Sequence, residues 1–180
     1  MAKKVLIIST SLRLHSNSEI LAKEVEKGAL EAGHDVEFIT LKDKTINFCK
    51  GCLSCQKLGH CVIDDDANII VNKMLNSDVI VWATPIYYYE MSGQMKTLID
   101  RANPLFELDY KFKDIYIITT SADSSKGVSN CILHGIKGWL DCLPKATIKG
   151  TLEAGGVNNP MEIRQFVDIL VQAYELGKLI

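Results

Sequence analysis

Apolar and polar residues alternate in blocks along the chain, and these blocks predict strands and helices in turn. Val5 to Ile8 is an unbroken apolar run, which is typical of a strand buried on both faces of a sheet. Asp35 to Leu41 alternates apolar and polar residues, as an edge strand does. Further strands are predicted at Val79 to Ala83, at Ile115 to Thr119 and over residues 146 to 152. The pattern therefore predicts five strands.

Helices are predicted between these strands, because apolar residues recur there every three or four positions. One helix is expected over residues 127 to 142. The apolar positions of the others are Leu21, Val25, Gly28, Ala29 and Ala32; Ala67, Ile70, Val71 and Met74; Met95, Leu98, Ile99 and Ala102; and Ile163, Phe166, Val167, Leu170 and Tyr174. Strands that alternate with helices predict an α/β fold, in which a five-stranded parallel sheet carries helices on both faces.

Composition narrows the class of protein. With 180 residues and 47% hydrophobic composition, the chain is expected to form a single domain over residues 1–180. A net charge of -2 without a basic run argues against a nucleic-acid or membrane partner. The apolar stretch at the N-terminus is too short for a signal peptide or a membrane span. We therefore predict a cytoplasmic protein whose six cysteines are reduced thiols or ligands.

The loop that follows the first strand has the composition of a phosphate site. Ser11, Ser16, Asn17 and Ser18 bring polar side chains to the start of a predicted helix, where free N–H groups favour anions. No glycine occurs in residues 1 to 27, which excludes the glycine-rich loops of nucleoside triphosphatases and dinucleotide-binding domains here. A helix cap alone would account for one hydroxyl and not for four polar residues. A bound monophosphate is therefore predicted.

The other loops at the carboxyl edge of the sheet carry no recognisable acid–base machinery. There is no GxSxG motif, the four histidines form no recognisable pairing, and Ser9 and Thr10 stand where a receiver domain needs carboxylates. Ligands bind at this edge in open α/β sheets, so the chemistry is assigned to a bound cofactor. Tyr87, Tyr88 and Tyr89 suit a flat ring system, although core packing or a subunit interface would also explain them.

Two of these loops together resemble the flavodoxin-like NAD(P)H-dependent FMN reductase and iron-sulfur flavoprotein family. The family's phosphate loop, GSPRxxSNT, is similar to Thr10 to Ser18, with Leu12 in place of the proline. Its second loop, SPxYxxxMSxxxKxxIDR, is similar to Thr84 to Arg101. The resemblance covers nearly the whole chain and implies a flavodoxin-like sheet with strand order 2-1-3-4-5.

The resemblance implies FMN as cofactor and NAD(P)H as co-substrate. The implied FMN contacts are Ser9, Ser11, Arg13, Ser16, Asn17 and Ser18 in the first loop, Pro85, Ile86, Tyr87 and Tyr88 in the second, and Thr120, Ser121, Ala122 and Asp123 in a third loop placed by position. The implied enzyme passes electrons through FMN to a quinone, a flavin, an azo or nitro compound or an iron-sulfur acceptor, as a homodimer or homotetramer. The alternatives are a non-enzymatic electron carrier and a cluster-based redox sensor.

A cysteine-rich insertion is predicted at residues 43–64. Cys49, Cys52, Cys55 and Cys61 have the spacing C-x2-C-x2-C-x5-C, which lets four sulfurs converge on a [4Fe-4S] cluster. The iron-sulfur flavoproteins carry a motif of this spacing, whereas many relatives with a similar loop hold no metal. A zinc site and free or redox-active thiols are the other readings that remain open.

Other charged and sulfur-bearing residues receive structural interpretations. The run Asp64 to Asp66 is expected to cap a helix, and Lys96 and Arg101 are expected on a solvated helix face. Cys131 and Cys142 are expected in the core.

Overall fold

A parallel sheet forms the centre of the protein, for which a computed structural model describes residues 1–180. Its strands are β1 (Lys4–Ser9), β2 (Asp35–Thr40), β3 (Val79–Tyr87), β5 (Asp114–Thr120) and β6 (Thr147–Ala154). They lie in the order β2-β1-β3-β5-β6 and all pair in parallel, which confirms the predicted order 2-1-3-4-5. The two-residue strand β4 (Glu90–Met91), which was not predicted, pairs antiparallel with the end of β3.

The structure contains six α-helices, of which all but the shortest pack against the two faces of the sheet. They are α1 (Asn17–Glu31), α2 (Ser54–Leu58), α3 (Asp66–Leu75), α4 (Gly93–Arg101), α5 (Asn130–Asp141) and α6 (Val167–Lys178). Alternate residues of β1 serve two cores: Leu6 and Ile8 pack with α3, α4 and α5, whereas Val5 and Ile7 pack with α1 and α6. None of these helices combines the length and the apolar character that a membrane crossing requires.

Helices α1 and α6 pack with their backbones in direct contact. A Cβ atom added to Gly28 would lie 2.0 Å from the carbonyl oxygen of Tyr174, and one added to Gly177 would lie 2.1 Å from that of Val25. These distances leave room only for hydrogen, so each helix presents a glycine to the other. The close approach places α6 directly behind the helix that carries the predicted phosphate loop.

The structure differs from the sequence-based predictions in three places. The last helix begins at Val167, and Phe166 and Val167 are 37% and 63% exposed instead of forming its buried face. The helix expected from residue 127 begins at Asn130, after a turn in which Gly127 has a φ of 82°. Cys131 and Cys142 are exposed and do not belong to the core. The buried face of α6 consists instead of small residues that allow the close contact with α1.

Candidate functional site

Buried hydroxyl groups join the carboxyl ends of the two central strands. The Thr10 N–H and hydroxyl both donate to the carbonyl oxygen of Ala83, at 2.9 and 3.1 Å. The Ser92 hydroxyl donates to Thr10 Oγ1 (2.9 Å), and the Ser92 N–H donates to Thr84 Oγ1 (3.0 Å). Thr10, Thr84 and Ser92, which we call the hydroxyl floor, are fully buried. They fix the ends of β1 and β3 and the start of α4 relative to one another.

A cavity of about 100 Å³ lies between the loops at this edge. It is lined by most of the predicted cofactor residues, namely Ser11, Arg13, Ser16, Asn17, Ser18, Pro85, Ile86, Tyr87, Thr120, Ser121 and Ala122, together with Val157 and Asn158. The predicted residues Ser9, Tyr88 and Asp123 do not line it. Three loops that are distant in sequence therefore converge on one cavity.

The start of α1 gives the cavity the character of an anion site. Ser16 is the N-cap residue, since its Oγ accepts from the N–H of Glu19 (3.2 Å), and it lies 3.2 Å from the Oγ of Ser18. Both serines are buried. N–H groups in the first turn of a helix have no intrahelical acceptors, and the helix dipole adds positive potential there. The nearby Arg13 guanidinium donates to the carbonyl oxygen of Asn158 and adds a full positive charge.

A fourth segment, residues 155–163, contributes to the cavity and was not predicted. The side chain of Asn17 anchors it, because its Nδ2 donates to the carbonyl oxygen of Asn159 (2.9 Å) and its Oδ1 accepts from the N–H of Ile163 (3.1 Å). The Val157 N–H donates to the carbonyl oxygen of Ser121 (2.9 Å). The polar groups of Asn17 are thus engaged with the protein itself. The position of this segment directly after the last parallel strand was the signal that could have indicated it.

Tyrosines form the tip of a hairpin beside the cavity. β3 and β4 pair Ile86 with Met91 and Tyr87 with Glu90, which leaves Tyr88 and Tyr89 as the two turn residues. Both turn residues have positive φ, at 50° and 65°. Tyr88 is fully exposed, and its side chain makes no contact with the cavity.

The third loop is joined to this hairpin by one side-chain contact. The hydroxyl of Tyr89 donates to Asp123 Oδ2 (3.2 Å), and the other oxygen of Asp123 accepts from the N–H of Ser125 (2.8 Å). The hydrogen bonds from Ser125 hold the pKa of Asp123 below its usual range. The predicted residue Ser9 lies elsewhere, at the end of β1, with its hydroxyl buried and without a hydrogen-bond partner.

The cavity lining contains few groups that could transfer a proton. Arg13 and Tyr87 are its ionisable side chains, and no histidine, aspartate, glutamate, cysteine or lysine lines it. Hydroxyls, amides and backbone groups dominate the rest. Such a lining can bind and orient a ligand, and it leaves bond making to that ligand.

The four cysteines of the insertion are not gathered around a common point. Cys49 and Cys52 are exposed, Cys55 is buried and Cys61 is partly buried. Asn103 Nδ2 donates to the Sγ of Cys55 (3.1 Å). No three His, Cys, Asp or Glu side chains lie in an arrangement that could hold a metal ion. Four thiols suit an iron-sulfur cluster chemically, but their arrangement does not fit one here, and the cluster stays a prediction.

A buried ion pair ties the insertion to α4. Arg101, which is 1% exposed, donates to both carboxylate oxygens of Asp65, at 2.7 and 2.9 Å. It also donates to the carbonyl oxygens of Asn47 (2.8 Å) and Ile63 (2.9 Å). We call this arrangement the arginine clamp. It shows that the solvated position expected for Arg101 is wrong.

The other charged residues near α4 match their interpretations. Asp65 is the N-cap of α3, where it accepts from the N–H of Ala67 (3.1 Å), which confirms the capping role of the acidic run. Lys96 is exposed and pairs with Asp100 one turn away (2.6 Å). The acidic run therefore has two functions in the fold, because Asp65 both caps a helix and neutralises Arg101.

Comparison with known proteins defines the class. Residues 3–134 match the family of NADPH-dependent FMN reductases, and the chain belongs to this family. The matched residues include the first loop, the hairpin and the third loop, which together form most of the cavity.

Individual relatives agree with this assignment. The chain is 41% identical to an iron-sulfur flavoprotein of Methanocaldococcus jannaschii over 102 residues, which is 57% of this chain and 53% of that protein. It is 28% identical to an iron-sulfur flavoprotein of Methanosarcina thermophila over 161 residues, 88% of this chain and 84% of that protein. The first alignment thus spans about half of the relative's length.

The fold also occurs in solved structures. A NAD(P)H:quinone oxidoreductase from Methanothermobacter marburgensis superposes with a TM-score of 0.74 at 13% identity, covering 99% of this chain and 96% of that one. At this identity the similarity shows the shared fold alone.

Proposed function

We propose that this protein is an FMN-dependent oxidoreductase that passes electrons from NAD(P)H through bound FMN to an acceptor. The observation that carries the proposal is the cavity at the start of α1, where hydroxyls and an arginine surround the amino end of a helix. Membership of the FMN reductase family supports FMN as the ligand of this cavity. The acceptors that we propose are a quinone, a flavin, an azo or nitro compound or an iron-sulfur centre.

The cavity suits one end of the cofactor. Sites that enclose a whole ligand usually have volumes of roughly 300–1,000 Å³, whereas this cavity has about 100 Å³. We therefore assign it to the phosphate and the adjoining ribityl chain, with Ser16, Ser18 and Arg13 around the phosphate. Pro85 to Tyr87 and residues 120–122 would then hold the isoalloxazine ring at the mouth of the cavity.

The chain's own residues bind and orient the cofactor. Bound FMN supplies the chemistry, which is acceptance of hydride from a reduced nicotinamide and delivery of electrons to an acceptor. The hydroxyl floor keeps the loops in register, and the segment containing Val157 closes one side of the cavity. The open mouth of the cavity would give a nicotinamide and an acceptor access to the bound cofactor. Exposed Tyr88 and a second subunit, in a homodimer or homotetramer, would cover the remaining surface.

Flavin titration of the wild-type and Ser18→Ala proteins tests the cofactor assignment. Ser18 is buried at the cavity, and a hydrogen bond to a charged group contributes about 1.5–3 kcal/mol, so we expect FMN binding to weaken about 10- to 150-fold. Ser77→Ala is the matched control, because Ser77 is a buried serine whose hydroxyl donates to Lys73 at the opposite edge of the sheet. Failure of the wild type to bind FMN would overturn the proposal.

A second measurement distinguishes an enzyme from a non-enzymatic electron carrier. The FMN-loaded enzyme is expected to oxidise NADPH or NADH at a catalytic rate when a quinone is supplied. A non-enzymatic carrier would show almost no oxidation while still exchanging electrons with a chemical reductant. Equal FMN binding without nicotinamide oxidation would therefore support the carrier.

A second candidate adds an iron-sulfur cluster to this flavin site, and the four cysteines, which do not converge here, would have to come together to bind it. It rests on the four-cysteine spacing and on relatives that are iron-sulfur flavoproteins. Iron and sulfide assays on anaerobically purified protein test it, with Cys52→Ser as the comparison. Stoichiometric iron and sulfide that are lost in the variant would support the cluster, and their absence from the wild type would refute it.

A further inference from the structure

The hairpin of β3 and β4 has a rigid base and a weakly held tip. Its base belongs to the hydroxyl floor, where Ser92 donates to Thr84 (3.0 Å) and to Thr10 (2.9 Å) in the protein interior. Its tip consists of Tyr88 and Tyr89, which are 100% and 57% exposed. The hairpin is therefore held more firmly at its base than at its tip.

The tip has a backbone conformation that tyrosine does not favour. A two-residue hairpin turn with positive φ at both positions is a type I′ turn, which strongly prefers Asn-Gly. Tyr88 and Tyr89 adopt this conformation although their Cβ atoms crowd the backbone there. Interactions outside the turn must compensate for this strain.

One side-chain hydrogen bond of the tip can compensate for this strain. Tyr89 donates its hydroxyl to Asp123 Oδ2 (3.2 Å), across the gap between two loops that both line the cavity. Asp123 is itself held in place, since its other carboxylate oxygen accepts from the N–H of Ser125 (2.8 Å) and its carbonyl oxygen accepts from the Ser121 hydroxyl (2.6 Å). The strained tip is thus attached to a fixed point on the opposite loop.

We propose that the Tyr89–Asp123 hydrogen bond is a latch that holds the hairpin tip across the mouth of the cofactor cavity and controls the release of FMN. Tyr89 is a positioning residue in this proposal, because it lies outside the cavity lining and acts through residues 85–87. The inference rests on the proposed function. When the hydrogen bond breaks, backbone strain favours opening of the tip, and the mouth of the cavity widens.

The rate of FMN release tests the latch. Release is followed by the rise in flavin fluorescence after dilution of the loaded protein. Tyr89→Phe is expected to accelerate release about three- to tenfold, the size expected for one partly exposed hydrogen bond. Asp123→Ala should have the same effect, and the double variant should release FMN no faster than either single variant. Tyr174→Phe is the matched control, because it removes a tyrosine–carboxylate hydrogen bond to Glu31 far from the cavity.

A further variant distinguishes the latch from a simple steric lid. Tyr89→Gly removes the hydroxyl and also relieves the positive-φ strain, so its release rate should lie nearer to that of the wild type than Tyr89→Phe does. A steric lid predicts the opposite order, since phenylalanine keeps the ring and glycine does not. That opposite order, or equal release from the wild type and Tyr89→Phe, would refute the latch and leave FMN binding intact. Absence of FMN binding by the wild type would overturn both proposals.

Discussion

Replacing Asp65 with asparagine would test the arginine clamp directly. The side chains of Asp65 and Arg101 are 2% and 0% exposed, so their charges are compensated by each other and by nearby carbonyl groups. Burial alone would raise the pKa of Asp65, but hydrogen bonds from Arg101, Asn47 and Ala67 lower it from 3.8 to about 2. One pKa unit corresponds to about 1.4 kcal/mol, so the charged form of Asp65 stabilises the fold by about 2.5 kcal/mol at neutral pH.

Asp65→Asn should lower the free energy of unfolding by more than the contribution of the charged carboxylate, because Arg101 then stays buried without a counter-charge. Removal of one partner from a buried pair typically costs about 3–5 kcal/mol. The amide oxygen of asparagine still accepts one hydrogen bond, which places the expected loss of unfolding free energy at about 3 kcal/mol. Urea unfolding at pH 7, followed by far-ultraviolet circular dichroism, measures it. Asp64→Asn is the matched control, since Asp64 is exposed and adjacent in sequence.

The dependence on pH gives a second test of the same ion pair. The folded-state pKa of Asp65 is lowered, so its contribution is complete above about pH 4 and is lost as the pH falls through about 2. At pH 3 about half of it should remain. The difference in stability between wild type and Asp65→Asn should therefore shrink between pH 5 and pH 2. A constant difference, or equal losses in Asp65→Asn and Asp64→Asn at pH 7, would show that the clamp does not hold the insertion.

Two further predictions follow from packing and from thiol chemistry. Gly28→Ala places a Cβ atom 2.0 Å from the Tyr174 carbonyl oxygen, so it should lower the free energy of unfolding by more than about 2 kcal/mol. Gly138→Ala is the control, because its Cβ atom meets no atom within 4 Å, and it should not destabilise the fold. Hydrogen bonds from the Ser54 N–H and hydroxyl lower the pKa of the exposed Cys52 thiol. Because the thiolate is the nucleophile, iodoacetamide should alkylate Cys52 more slowly in Ser54→Ala than in the wild type. Peptide mass spectrometry measures this rate, and an unchanged rate would contradict the prediction.

Local patterns predicted the parallel strands and the loops of the cavity, whereas the strand order followed from the family resemblance. Val5 to Ile8 and Val79 to Ala83 are apolar throughout because helices cover both of their faces. A helix after the first loop was predicted because Ser16 and its polar neighbours are adjacent in sequence, and this helix begins at Asn17. Where neighbouring residues determine the structure, the sequence pattern was informative.

Long-range contacts explain what sequence analysis missed. The burial of Arg101 depends on Asp65, which lies 36 residues away, and nothing in the amphipathic pattern of α4 identifies such a partner. Val157 and Asn158 reach the cavity because Asn17 anchors their segment, although neither residue has distinctive chemistry of its own. The buried face of α6 was not predicted because it consists of Ala173 and Gly177, whereas hydrophobic periodicity is detected from large apolar side chains. The actual contact with α1 depends on the absence of a side chain at Gly177.

The hydroxyl floor separates two tasks that a binding site must perform. Thr10, Thr84 and Ser92 lie buried beneath the loops and hold the strand ends together whatever residues follow them. Tyr88 and Tyr89 lie at the far end of the hairpin and contact little of the protein interior. Substitutions at the tip can therefore change the surface around the mouth of the cavity without disturbing the hydrogen bonds below it. If the protein is the proposed oxidoreductase, this division would allow its acceptor to change through a few surface substitutions.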